Sequence, residues 1–160
     1  AIRDQKRARG YIERYGHIID TFPWYSHYGL ADSGMHSTPV ELAVFIQSLF
    51  TSEAVLSERM RMFMTDVSST GLLDDNYGMG IYVQHNPWGA GLRWYTHDGI
   101  DPGYQADIMY LPDHDITVVV AANASFGLAN VIYEKLINAV IKVALDAIRK
   151  KALEHDEYSY

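Results

Sequence analysis

Apolar and polar positions first settle into a steady period at residue 38. Thr38, Pro39 and Glu41 carry the marks of a helix start: an N-cap hydroxyl, a proline at the first helical position, and an acid that can reach back to the cap. Leu42, Phe45, Ile46 and Leu49 follow at helical spacing and predict the buried stripe. Ser57 is placed to cap a second, shorter helix, with Glu58 in its first turn and an apolar face of Met60, Phe63 and Met64 that reads as core. Gly71 and the cluster Asp74-Asp75-Asn76 then break the chain. Up to residue 123 the period becomes two, predicting strands at Tyr77 to His85, Gly91 to His97, Tyr104 to Leu111 and Ile116 to Ala122. Asn86-Pro87-Trp88-Gly89 and Pro112-Asp113-His114-Asp115 separate them as turns, and connections this short make the neighbours antiparallel.

The helical period returns from Leu128 to about Lys151. Val131, Ile132, Leu136, Ile137, Val140, Ala144, Leu145 and Ile148 form a stripe that must cover something, and the preceding sheet is the surface at hand. The fold class that follows is α+β, an antiparallel sheet of three or more strands covered by a long C-terminal helix. Residues 1–34, with a basic run (Arg3, Lys6, Arg7, Arg9) and a stretch rich in Tyr, Trp, His and Gly, keep neither period and are predicted to be largely irregular. Phe22, Trp24, Tyr25 and Tyr28 read as cover for one end of the core or as cleft lining, rather than as a platform for bases or sugars. Residues 1–153 form a portion of one domain, and the polar residues 154–160 are predicted to be a frayed tail.

Composition narrows the partners. The chain has 160 residues, 48% hydrophobic and 21% charged, enough for one sizeable core. Thirteen Lys and Arg against 20 Asp and Glu give a net charge of −7, which argues against nucleic acid or an anionic membrane and leaves a small molecule or peptide as the expected partner. Without cysteine, disulfides, thiolate metal sites and a cysteine nucleophile are excluded. The longest apolar runs, such as Ile116 to Ala122, are too short to span a bilayer.

No Gly-x-Ser-x-Gly elbow, phosphate-cradling glycine loop or His-Glu-x-x-His occurs, and no serine is followed three places on by lysine. The conspicuous segment is His97-Asp98-Gly99 at a strand end, followed by Asp101-Pro102-Gly103-Tyr104 leading into the next strand. Titratable groups at a strand end, a glycine that permits close backbone approach and a Pro-Gly turn together make a substrate-binding edge. For His97 this setting favours a site role over that of a strand-end histidine making one hydrogen bond. Asp101 reads as a turn former, Asn123 as a local hydrogen-bonding cap and His114-Asp115 as solvated. The remaining histidines are scattered over different elements, so no metal site or other cofactor is expected.

The run from His97 to Asn123 resembles the third-motif region of penicillin-recognising serine hydrolases, the class C β-lactamases with their D-alanyl-D-alanine carboxypeptidase and esterase relatives. The elements are His97-Asp98-Gly99, Gly103-Tyr104, Tyr110-Leu111-Pro112, Asp113-His114-Asp115 and Ala122-Asn123. Upstream, Ala8-Arg9-Gly10-Tyr11, the helix start from Ser33 to Leu42 and Tyr77-Gly78-Met79-Gly80 are similar to recurrent segments of the same family, in the same order. The resemblance covers roughly residues 8–145 and implies a β-lactamase/transpeptidase-like fold missing its N-terminal portion.

It also implies acyl transfer to a serine of a Ser-x-x-Lys motif, assisted by a Tyr-x-Asn tyrosine. Both motifs are absent here and are expected from an N-terminal companion segment. This chain would supply one wall: catalytic His97, the Ile100 backbone N–H as an oxyanion-hole donor worth about 2.7–4 kcal/mol, and substrate contacts from Asp98, Gly99 and Tyr104. Asp98 stands where the family has threonine or a small residue, so its carboxylate should disfavour anionic substrates in favour of an ester, an amide or an amino-terminal D-peptide. Relatives are commonly exported, which implies a periplasmic or extracellular location. Two other readings stay open: a non-catalytic ligand-binding or interaction module, and a metal-dependent hydrolase built on His97, Asp98 and Asp101.

Overall fold

Thr38 starts the first long helix by the mechanism its sequence suggests. In the computed structural model, which describes residues 7–25, 34–69, 76–85 and 91–157, the Glu41 N–H donates to the Thr38 hydroxyl at 3.2 Å and the Thr38 N–H donates to the Glu41 carboxylate at 2.9 Å. Helix α1 runs Pro39–Thr51, and Ser57 caps the shorter α2, Glu58–Met64. Strands β3 (Tyr82–His85), β4 (Arg93–Asp101), β5 (Tyr104–Leu111) and β6 (Ile116–Ala122) form one antiparallel sheet in the order β3-β4-β5-β6. Helix α3, Leu128–Glu157, follows them. No helix among the described residues is long and apolar enough to cross a membrane.

Side-chain alternation splits the sheet between two cores. On one face Trp94, Met109, Leu111, Val118 and Val120 pack against Tyr133, Ile141 and Ala144 of α3. On the other, Ile81, Val83 and Tyr110 meet Ile46 of α1, with Leu49, Phe50 and Met64 around them. Phe50 stacks on Tyr110 with ring centroids 5.5 Å apart and planes 7° from parallel. Burial, with Asp115 as hydrogen-bond acceptor, pushes the Tyr110 phenol up to about 12. Asp115, exposed as expected, also accepts from Gln47 and so ties the β5–β6 turn to α1.

Several expectations are corrected. Phe45 lies half exposed on the flank of α1, and Phe50 takes its place beside the expected Ile46 and Leu49 on the inward stripe. Of the α2 face, Met64 packs against the core, while Met60 and Phe63 remain exposed. The inward face of α3 is Tyr133, Ile137, Val140, Ile141, Ala144, Leu145 and Ile148, while Val131, Ile132 and Leu136 face outward.

The N-terminal stretch is not irregular throughout. Strands β1 (Tyr11–Arg14) and β2 (His17–Asp20) form a hairpin that turns at Tyr15 and Gly16, both with positive φ, 55° and 76°. A two-residue strand β7, Ala124–Ser125, pairs in parallel with β1 through Tyr11 and Ile12. Arg3, Lys6, Tyr28, the break at Gly71, Asp74 and Asp75, the turn Asn86–Gly89 and the last three residues of the tail lie outside the described residues.

Candidate functional site

β4 outruns its neighbour. β3 pairs with it only from Arg93 to Thr96, whereas β5 pairs with it from Tyr95 to Asp101. From His97 to Asp101, β4 therefore has β5 on one side and, among the described residues, no strand on the other. Such an edge leaves alternate backbone N–H and C=O groups free for an added chain or ligand. His97 and Gly99 share the face of Tyr95 and Ile108, while Asp98 and Ile100 share the face of Trp94 and Asp107.

His97 is held at this edge by Tyr77, whose contact with it no local pattern of the sequence marks. Its Nε2 lies 3.0 Å from the Tyr77 hydroxyl, and the Tyr77 and Tyr82 rings stand 5.9 and 6.1 Å from the imidazole. Tyr77 is itself fixed by an antiparallel bridge to Tyr82, with the two rings 4.5 Å apart. The Gly78 N–H donates to the Ile81 carbonyl at 2.8 Å, and the Met79 N–H donates to the Met64 carbonyl at 2.9 Å. Only glycine fits at 78, since a Cβ there would fall 2.2 Å from the Met64 carbonyl oxygen. The Tyr-Gly-x-Gly pattern was the one available signal for this arrangement.

Gly99 contrasts with Gly78. A Cβ added to it would meet nothing within 4 Å, so packing within the described chain does not require glycine there. Ile100 beside it is 49% exposed.

The turn that follows is bound firmly to the N-terminal hairpin. Gly103 has φ +91°, and a Cβ would fall 2.1 Å from the Thr21 hydroxyl oxygen and 2.9 Å from the Tyr11 nitrogen. Its N–H donates at 2.7 Å to the buried Ser125 hydroxyl, which donates in turn to the Asp101 carbonyl. The Tyr104 hydroxyl, of a residue expected to contact substrate, donates to the Ala8 carbonyl at 2.9 Å, and its ring covers Gly10. Asn123, expected to cap locally, instead donates to the Arg9 carbonyl at 2.8 Å.

On the α3 face Asp98 stands opposite Asp107. Burial raises the Asp107 carboxyl above its ordinary value; the Tyr133 hydroxyl, donating at 2.8 Å, pulls it down, and Asp98 adds a smaller upward push. Burial and the Asp107 acceptor raise the Tyr133 phenol well above its ordinary value. His97 and Asp98 thus lie on opposite faces, and no group of three His, Asp or Glu suited to a metal ion occurs among the described residues.

A family model described as Beta-lactamase matches residues 1–140. Comparison with curated proteins yields no match, and comparison with solved structures yields none.

Proposed function

Because the chain belongs to the Beta-lactamase family, a family of hydrolase type, we propose that it is the C-terminal segment of a serine hydrolase acting through an acyl-enzyme on β-lactam, D-amino-acid peptide or ester substrates. The observation that carries this reading is the edge of β4, which no strand among the described residues pairs, where His97 and Gly99 share one face and no described residue fills the space over Gly99. A substrate lying along that edge can approach the backbone at Gly99. His97 then donates a hydrogen bond toward it, and the Ile100 N–H stabilises the negative charge that develops on the attacked carbonyl oxygen.

Asp98, exposed on the opposite face, adds negative charge to the same edge and favours neutral esters and amides over carboxylated substrates. Since no serine here is followed three places on by lysine, the nucleophile comes from a companion segment outside these 160 residues.

The test is a denaturing gel after reaction with a fluorescent fluorophosphonate, with a fluorescent penicillin alongside. A labelled band distinct from this chain, in a preparation that contains the companion segment, is the expected result. Label on this chain would show that it holds its own nucleophile and overturn the division of labour. No label on either would favour a non-catalytic module that keeps a ligand-binding edge.

A further inference from the structure

We propose that Tyr77 is a positioning residue for His97, holding the imidazole in the tautomer that carries its proton on Nδ1 and offers that N–H to a ligand at the β4 edge. The proposal deepens the hydrolase reading and rests on it for the ligand. The tautomer itself stands on the geometry alone.

A neutral imidazole has one N–H and one bare nitrogen, and the partner at one nitrogen decides what the other can do. At Nε2 that partner is the Tyr77 hydroxyl, 3.0 Å away. A phenol O–H is far more acidic than a neutral imidazole N–H, and an imidazole nitrogen is the better acceptor, so the favoured arrangement has Tyr77 donating to bare Nε2. The proton then resides on Nδ1, for which the described residues provide no hydrogen-bond partner.

The hydroxyl cannot easily turn away. Tyr77 is held between its bridge to Tyr82 and the loop that Gly78 seats against the Met64 carbonyl. Tyr82, whose ring is as close to the imidazole as that of Tyr77, makes no hydrogen bond to it among the described residues, which singles out Tyr77 as the orienting group. A ligand atom that accepts a hydrogen bond, such as a carbonyl or ester oxygen, would then find a fixed donor at the edge.

Tautomers are read directly from long-range proton–nitrogen correlation spectra of the nitrogen-15-labelled chain at pH 9, above the ordinary imidazole range. The signal of His97, one of seven histidines, is identified by its disappearance in His97→Gln. The expected result is an Nδ1–H majority in the native chain. Tyr77→Phe, which keeps the ring and removes only the hydroxyl, should lower the ratio of Nδ1–H to Nε2–H by about fivefold, the worth of one ordinary hydrogen bond. Tyr82→Phe should leave the ratio unchanged.

An Nε2–H majority in the native chain overturns the proposal even if Tyr77→Phe does not fold, as does a ratio indifferent to Tyr77→Phe. The spectra need no nucleophile, so an Nδ1–H majority together with failed labelling would remove the hydrolase reading and leave the Tyr77–His97 tie in place.

Discussion

Gly99 and Gly103 lie four positions apart and answer different demands. Nothing in the described chain needs Gly99 to be glycine, whereas a Cβ at Gly103 would collide with Thr21 and Tyr11 while the backbone sits at φ +91°. Gly103→Ala should therefore cost about 1–3 kcal/mol in strain alone. Gly99→Ala should change stability by no more than about 0.5 kcal/mol, a contrast read from urea midpoints. If substrate approaches the backbone there, Gly99→Ala should still slow acylation in the complete enzyme about tenfold, or ~1.4 kcal/mol. An unchanged acylation rate would take Gly99 out of the site.

Asp107 has the opposite pH signature from a salt-bridged acid. Burial raises its carboxyl, so the folded state holds the proton more tightly than the unfolded chain does. Stability therefore falls as pH rises from the ordinary value of 3.8 through the raised one. Asp107→Asn keeps an acceptor for Tyr133 and removes the titration, so the variant should gain on the native chain as pH rises through that window. Parallel unfolding curves at pH 3 and pH 7 for the two proteins would deny the effect.

His97, Gly99 and Gly103 are legible in the sequence because strand ends and Pro-Gly turns are local signals. Tyr77 is not, because its meeting with His97 across 20 residues depends on how the chain passes the end of α2.

At the scale of elements, legibility follows the reach of the forces involved. The bounds of β5 and β6 coincide with their alternating segments, and α1 begins where its capping box begins. Thr38→Ala should cost about 1 kcal/mol in thermal or urea unfolding. Glu41 is held below its ordinary value because its carboxylate accepts from the Thr38 backbone, then from the Thr38 and Ser37 side chains. Its contribution is present at neutral pH and is lost as pH falls through that depressed value. The penalty of Thr38→Ala should accordingly shrink in acid. The hairpin β1–β2 escapes a pattern reading because strands of four residues are too short to establish a period. The packed face of α3 is not separable in sequence, because Val131, Ile132 and Leu136 are as apolar as the residues that pack, and only the position of the sheet distinguishes them.

At the scale of the molecule, the layers α1, sheet and α3 place the edge of β4 at one margin of the sheet and β6 at the other. Along β6, Thr117 and Val119 line a groove with Pro39, Val40, Ala43, Val44 and Gln47 of α1. The layered class was legible because amphipathic elements of these lengths have few ways to pack. The pairing of β1 with β7 is not, since no local period records a partner so far away.

That joining orders events in time. Asn123 reaches the Arg9 carbonyl from 114 positions away, and Tyr11 pairs with Ala124. Closing so long a loop costs entropy before any contact rewards it. During synthesis β1 lacks its β7 partner until Ser125 has been made. The Gly103 turn, though already looped, is packed only once Gly10, Tyr11 and Thr21 return to it.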